Sequence, residues 1–271
     1  MNFYKELENI IQTKNPHDKF VRFYSFYDKY QNNECSFEKN FKPKFFDKPS
    51  YDGFCKVVPP QIVPKRSNLT TIKGQINLIH AIAHIEYSAI DLALDAAYRF
   101  CDLEKKYYDD WLEVAEDEIR HFRMLEVLLK KLGSKYGDIE VHNSLFEASQ
   151  KTQTLLERMA VVPRYLEANG LDATPMILKK IDNLEKDEIL NELVKSLNVI
   201  LDEEVYHVQK GDHWFEYACK KEQEDKSIYF MIIDKYYPQG FDRARHVNKE
   251  ARLEAGFSCS ELKCIAHKNI C

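Results

Sequence analysis

Two Glu-x-x-His motifs are the residues of this sequence best placed to do metal chemistry. The first runs from Glu118 to His121 and the second from Glu204 to His207. Positions three apart lie on the same side of an α-helix, so each carboxylate and imidazole reach toward one point. Both motifs fall among apolar residues at helical spacing, which predicts burial. An unpaired buried carboxylate costs several kcal/mol, so a cation is expected opposite each motif.

A single inward glutamate precedes each motif by one helix. Glu86 lies on the apolar face before Glu118, and Glu167 on the apolar face before Glu204. The order Glu, Glu-x-x-His, Glu, Glu-x-x-His is that of di-iron and di-manganese carboxylate bundles. Four carboxylates balance two divalent ions, and oxygen and nitrogen donors without sulfur suit iron, which we favour, or manganese, with zinc as a further candidate. The six predicted metal ligands are Glu86, Glu118, His121, Glu167, Glu204 and His207.

Other polar residues near these motifs are candidates for supporting roles. An acid beside a ligating histidine can accept its second ring N–H and fix the tautomer. The candidates for this role are Asp91, Asp117 and Glu203, although a solvated position fits Asp117 and Glu203 equally well. The candidates for a substrate pocket are His142, Arg164 and Tyr206, with surface or packing roles as the alternative.

Long helical patterns position the six predicted ligands. The predicted long helices cover residues 71–101, 108–132, 144–169 and 186–219. Gly133 and Gly170 are expected to end the second and third of these, and Pro163 predicts a kink in the third. A short helix is expected to start at Thr174-Pro175. Shorter C-terminal helices are predicted over 226–236, 242–254 and 260–267, and no strand pattern appears.

The N-terminal residues differ from this pattern. Residues 2–13 predict a short helix, whereas 34–66 contain five prolines and predict an extended arm. The many aromatic residues favour an arm that packs on the main body over a disordered tail. We therefore predict an all-α fold: a four-helix bundle over 67–220, an N-terminal helix and arm over 1–66, and a C-terminal helical extension over 221–271.

Composition and charge exclude several classes of protein. The net charge of −5 argues against a protein whose main task is nucleic-acid binding. No apolar run reaches membrane-spanning length, and the first residues have no signal-peptide pattern. The seven cysteines have irregular spacing, which predicts reduced thiols and a cytoplasmic location. A zinc site formed by Cys259, Cys264, His267 and Cys271 is disfavoured by their loose spacing.

Four phrases of the sequence resemble a known family. They are His84-Ile85-Glu86 with the following Ala89–Asp95, Glu118–His121, Arg158–Pro175 and Asp202–Val208. Together they resemble the ferritin-like family called domain of unknown function 455, over roughly residues 55–262. The resemblance implies a ferritin-like bundle with a dinuclear metal site, but it supplies no substrate. The residues near Phe241–His246 depart from the family pattern.

The ligand set and the resemblance favour an oxygen-dependent oxidoreductase. Dioxygen would be a co-substrate and an unidentified small organic molecule the substrate, with Glu118 and Glu204 as bridging ligands. One alternative is an enzyme like the tRNA-modifying di-iron hydroxylases, for which pairs such as Lys130-Lys131 would supply RNA contacts. Others are a non-enzymatic metal-binding or peroxide-detoxifying protein and a metal-free helical scaffold. We expect a monomer or small homo-oligomer without membrane contact.

Overall fold

The structure, a computed structural model, describes residues 1–271, and its regular secondary structure is helical. Strand-like pairing is confined to isolated bridges, such as the one between Val57 and Val141. The predicted all-α class is therefore confirmed. The chain divides into two compact units, Met1–Phe146 and Glu147–Cys271. The functional division into 1–66, 67–220 and 221–271 stays a prediction.

The first unit is built on a pair of long helices. Its helices are α1 (Phe3–Ile11), α2 (Pro16–Gln31), α3 (Ile72–Arg99) and α4 (Lys105–Lys131), while α5 (Ser144–Lys151) spans the boundary to the second unit. The helices α3 and α4 agree with the predicted helices 71–101 and 108–132. The side chain of Thr71 accepts a hydrogen bond from the Gly74 N–H and so caps α3.

The helices α3 and α4 pack as an antiparallel hairpin. Near their connection the Tyr107 hydroxyl donates to the Ala96 carbonyl at 3.1 Å. Further along, the rings of Tyr87 and Phe122 lie 5.3 Å apart between centroids. As the chain advances along α4, its contacts on α3 move back toward the start of α3, so the two helices are antiparallel. This arrangement brings Glu86 opposite the Glu118–His121 motif.

The N-terminal residues cover this hairpin. Residues 17–33 carry no helix prediction, but the structure places most of them in α2, with Phe20 and Phe23 fully buried. The arm formed by residues 34–66 is irregular, as expected, and packs against α3. In it the Phe46 ring stacks on Tyr98 at 5.6 Å, and the Lys44 N–H donates to the Tyr98 hydroxyl at 3.0 Å.

The second unit contains one very long helix and several shorter ones. They are α6 (Leu155–Val161), a π-helix (Val162–Glu167), α7 (Ala168–Asp182), α8 (Glu188–Glu222), α9 (Ile228–Tyr236), α10 (Lys249–Glu254) and α11 (Cys259–Ala266). The helix α8 agrees with the predicted helix 186–219. The predicted helices 226–236 and 260–267 correspond to α9 and α11, whereas 242–254 shortens to α10, which Asn248 caps.

The predicted third long helix is wrong in its continuity and its end. The helix is interrupted between α5 and α6, where Thr154 and Glu157 form a capping box that starts a new helix. The expected kink at Pro163 is a π-helix. Gly170 does not end the helix, because it keeps helical backbone angles inside α7. The Thr174-Pro175 start is also wrong, since Pro175 lies inside α7.

Candidate metal centre

Three of the predicted ligands form a cluster inside the first unit. Nδ1 of His121 lies 3.1 Å from Oε2 of Glu86 and 3.4 Å from Oε2 of Glu118. One ligand atom from each of the three lies within 4.8 Å of the others. Glu118 and His121 are fully buried and Glu86 is only 3% exposed. The α3–α4 hairpin therefore gathers two carboxylates and one imidazole nitrogen, and their role as metal ligands stays a prediction.

The electrostatics of this cluster favour a bound cation. Burial, followed by the negative charge of Glu118, raises the pKa of the Glu86 carboxyl, while His121 opposes the rise. Two carboxylates at such close range repel each other in a medium that screens poorly. A divalent ion bound between them would remove that repulsion. The cluster could therefore hold a metal ion.

The second Glu-x-x-His motif lies on α8 in the second unit. Nδ1 of His207 lies 3.8 Å from Oε2 of Glu204. The His207 side chain is fully buried and that of Glu204 is 13% exposed. The flanking residues Val205 and Val208 are buried as well, because they fall on the same apolar stripe. The spacing of three therefore turns the carboxylate and imidazole toward each other on α8.

Glu167, the remaining predicted ligand, is the last residue of the π-helix. The Ala168 N–H bonds to the Pro163 carbonyl, five residues earlier, instead of the usual four. The extra residue rotates everything that follows relative to a continuous α-helix. Short π-helices of this kind occur frequently at functional sites. The sequence predicts a disturbance at Pro163 but not its π form.

The candidates for supporting roles have varied surroundings. Asp91 pairs with the buried ammonium of Lys19 and accepts a hydrogen bond from Ser50 at 2.6 Å. Asp117 forms an ion pair with Arg120, one turn along α4. Glu203 is half-buried on α8. The structure thus gives Asp91 and Asp117 cationic partners, and the predicted contact of an acid with a ligand imidazole stays a prediction.

The three pocket candidates also differ in their surroundings. His142 is half-buried, and its backbone carbonyl lies 2.9 Å from Nε2 of His84. Tyr206 is 54% exposed on α8. Arg164 is fully buried, and its guanidinium contacts Asp212 and Glu261 at 2.8 and 2.7 Å. Arg164 therefore pairs with acidic residues of its own unit, and its role in a substrate pocket stays a prediction.

Lys19 is a buried charged residue that the sequence reasoning missed. Its ammonium group donates to the Ile11 carbonyl at 3.3 Å and to the Ser50 hydroxyl at 2.8 Å, beside Asp91. Burial lowers the pKa of Lys19, while Asp91 opposes the shift. A helical spacing from Lys19 to Phe23 and Phe26 is the signal that places it on the buried face of α2.

The cysteine prediction is wrong for two residues. Cys259 and Cys271 form a disulfide, although reduced thiols were expected for all seven. Their spacing gave no motif, but the end of the chain folds back on the start of α11 and brings the two sulfur atoms together. The other five cysteines are free thiols, among them Cys264. His267 uses its Nε2 to bond the Phe241 carbonyl at 2.6 Å.

Comparisons with other proteins identify relatives but no activity. The family model described as "Protein of unknown function (DUF455)" matches residues 12–263. An uncharacterized protein of Haemophilus influenzae is 36% identical over 275 residues, an alignment that covers 97% of this chain and 93% of the relative. No solved structure matches the chain. None of the helices combines the length and apolar character that a membrane span needs.

Proposed function

Because the chain belongs to the family described as protein of unknown function DUF455, we propose that it is a ferritin-like dinuclear metal protein and an oxygen-dependent oxidoreductase. The proposed metal pair is iron, or iron with manganese. The proposed ligands are Glu86, Glu118, His121, Glu167, Glu204 and His207. The substrate would be a small organic molecule, and the cytoplasmic location stays a prediction.

The buried cluster of Glu86, Glu118 and His121 is the observation that carries this proposal. A soluble helical protein gains nothing in stability from two adjacent buried carboxylates unless a cation accompanies them. The Glu204–His207 pair repeats the same motif on α8, and Glu167 precedes it as Glu86 precedes Glu118. We propose that the six residues together supply four negative charges, which balance two divalent cations.

The side chains of the chain would bind and shield the metal pair. Glu118 and Glu204 are the proposed bridging carboxylates, and each imidazole would complete the ligand set of one ion. His121 and His207 are fully buried, so bulk water does not reach these two imidazoles, and exclusion of water would protect an oxidising site from side reactions. When bound, a pair of reduced iron ions supplies the electrons for activating dioxygen. We expect this chemistry because the di-iron carboxylate bundles have the same order of ligands along the chain.

Metal analysis of purified variants tests the ligand assignment. We expect the wild-type chain to hold about two ions, as in the carboxylate bundles. Glu118→Gln and Glu204→Gln should each lose at least one ion, because the amide keeps the side-chain size but not its charge. Glu216→Gln is the matched control, since Glu216 lies on α8 with its side chain 44% exposed. Wild-type metal content in both ligand variants would refute the assignment.

Oxygen consumption tests the oxidoreductase part separately. Protein that is loaded with ferrous iron under anaerobic conditions should consume dioxygen when it is mixed with aerated buffer. The Glu118→Gln variant, treated in the same way, should consume much less. A chain that binds iron but consumes no dioxygen would be a non-enzymatic metal-binding protein. The metal assignment and the redox assignment can therefore fail independently.

A further inference from the structure

The π-helix that ends in Glu167 is held by residues from distant parts of the second unit. A π-helix is less stable than an α-helix of the same sequence and persists where its surroundings fix it. Three kinds of contact do so here: a close backbone approach, a buried ion cluster, and side chains that bond to helix carbonyls.

The close approach is between α8 and the proline of the π-helix. A Cβ added at Gly211 would lie 2.2 Å from Cβ of Pro163 and 2.4 Å from its Cγ. No real side chain tolerates such distances, so only glycine permits this contact. Gly211 lies one turn beyond His207 on α8. The π-helix is therefore in direct contact with the helix that carries Glu204 and His207.

The ion cluster surrounds Arg164, in the middle of the π-helix. Its Nε lies 2.8 Å from Oδ1 of Asp212 on α8, and its Nη2 donates to Glu261 on α11 at 2.7 Å. The guanidinium carbon also lies 4.5 to 4.7 Å from the ring centroids of three aromatic residues. These residues are Phe215, Tyr229 and Phe257. A fully buried guanidinium with two acids and three rings has essentially one position available to it.

The third kind of contact satisfies carbonyl groups at the π-helix and the start of α7. The Tyr229 hydroxyl donates to the Arg164 carbonyl at 3.0 Å. Arg252 donates through Nη2 to the Ala168 carbonyl at 3.0 Å, and Asn248 to the Leu171 carbonyl at 3.2 Å. The donors come from α9, α10 and the residue that caps α10. The C-terminal residues thus donate hydrogen bonds to backbone carbonyls on both sides of Glu167.

We infer that Arg164 is a positioning residue for Glu167, and that the C-terminal segment 223–271 serves to hold the π-helix in the register that directs Glu167 to the metal pair. This rests on the proposed function for the role of Glu167 as a ligand. An apolar side chain at position 164 would fill the same space without the cost of burying a charge. The buried ion cluster therefore fixes a conformation that packing of apolar groups alone would not specify.

Two substitutions loosen this arrangement while leaving every predicted ligand in place. Arg164→Met keeps an unbranched stem but removes the guanidinium, and Asp212 retains its ion pair with Lys226 at 3.1 Å. Tyr229→Phe keeps the ring and removes only the hydroxyl that bonds the Arg164 carbonyl. Arg164→Lys restores a charge at the same place and is the conservative variant. Leu190→Ala, in the buried first turn of α8, lowers stability away from the π-helix and serves as the control.

Titration with Mn²⁺ and amide hydrogen exchange give two independent readouts. Arg164→Met and Tyr229→Phe should bind one of the two ions about 10- to 100-fold more weakly, as other residues that orient metal ligands do. Arg164→Lys should recover part of this loss, and Leu190→Ala should bind as wild type. In metal-free protein, the amides of 164–169 should exchange about tenfold faster in Arg164→Met than in Leu190→Ala.

The outcomes separate this inference from the proposed function. Unchanged exchange at 164–169 in Arg164→Met would overturn the inference, whether or not metal binds. Unchanged Mn²⁺ affinity in both variants would also overturn it. If exchange responds but the wild-type chain binds no metal, the proposed function fails, while the role of Arg164 in fixing the position of Glu167 is supported.

Discussion

His80 is a buried histidine that accepts hydrogen bonds instead of carrying charge. Its Nε2 accepts from the Gly137 N–H at 2.9 Å, and the Ile139 N–H approaches the same atom at 3.4 Å. A proton on Nε2 would face these two N–H groups. Burial lowers the pKa of His80 to about 4, while the negative charge of Asp138 opposes the shift. His80 therefore fixes the loop after α4 only while it is neutral.

The first prediction concerns pH. The unfolded chain binds a proton at His80 near its ordinary pKa of 6.5, whereas the folded chain does so near 4. The contribution of neutral His80 to the free energy of unfolding is therefore fully present above about pH 6.5. It is lost as the pH falls toward 4, by an amount on the order of 3 kcal/mol. Urea unfolding at several pH values should show a smaller loss in His80→Gln. His213 is exposed and supplies the control, since His213→Gln should depend on pH as the wild type does. If the free energy of unfolding of His80→Gln falls with pH as steeply as that of the wild type, the prediction is wrong.

A second prediction follows from the buried pair of Lys19 and Asp91. Lys19→Met removes the cation and leaves the largely buried Asp91 carboxylate with the Ser50 hydroxyl but without its ion-pair partner, which should cost about 3–5 kcal/mol of unfolding free energy. The double variant Lys19→Met with Asp91→Leu removes both charges and should recover most of that loss. A double-mutant cycle by urea unfolding measures the coupling. A loss in the double variant equal to the sum of the losses in Lys19→Met and Asp91→Leu would show that the two charges do not interact.

At the scale of helices, the sequence predicts periodic elements better than irregular ones. The helices α3, α4 and α8 are long amphipathic patterns with clear ends, so their positions follow from the sequence. The third predicted helix fails for two reasons: the local capping box of Thr154 and Glu157 starts a new helix within it, and its continuation beyond Gly170 depends on distant residues. Pro175 lacks the N–H that would bond the Leu171 carbonyl, and Asn248 bonds that carbonyl instead. No local pattern near Pro175 could reveal a partner that lies so far along the chain.

The same reasoning applies to the candidate metal centre. The spacing of Glu118 and His121 is set within one helix, so the sequence predicts that they lie together. The packing of Glu86 against them follows from the antiparallel α3–α4 hairpin. The environment of Glu167 does not follow, because the π-helix depends on contacts with Gly211 and Glu261. The relative positions of candidate ligands can thus be predicted from the sequence where a regular helix carries them.

Two helical glycines provide a third prediction, with opposite signs. A Cβ at Gly74, in the first turn of α3, would lie 2.0 Å from the Asn68 carbonyl oxygen, whereas a Cβ at Gly170 meets nothing within 4 Å. Gly170→Ala should therefore stabilise the protein by about 0.5–1 kcal/mol through helix propensity. Gly74→Ala should destabilise it, because the loop before α3 must move. Thermal unfolding of both variants tests this, and a gain for Gly74→Ala would contradict the observed contact.

At the scale of the whole molecule, the C-terminal end is tied covalently to α11. The disulfide between Cys259 and Cys271 closes a loop at a sequence separation of 12. Ser258, the residue before α11, forms a capping box with Glu261, and Glu261 accepts a hydrogen bond from Arg164. A bond at Cys259 therefore acts on the part of α11 that contacts the π-helix.

The last prediction is that this disulfide stabilises the second unit. A loop of this size restricts the unfolded chain by about 3 kcal/mol. Reductant should lower the thermal unfolding temperature of the wild-type chain to that of Cys271→Ser, and it should leave Cys271→Ser unchanged. Cys264→Ser removes a free thiol of α11 and should respond to reductant as wild type does. If reductant has no effect on the wild-type chain, the disulfide does not form in solution, and α11 is held by the capping box and the Glu261–Arg164 contact instead.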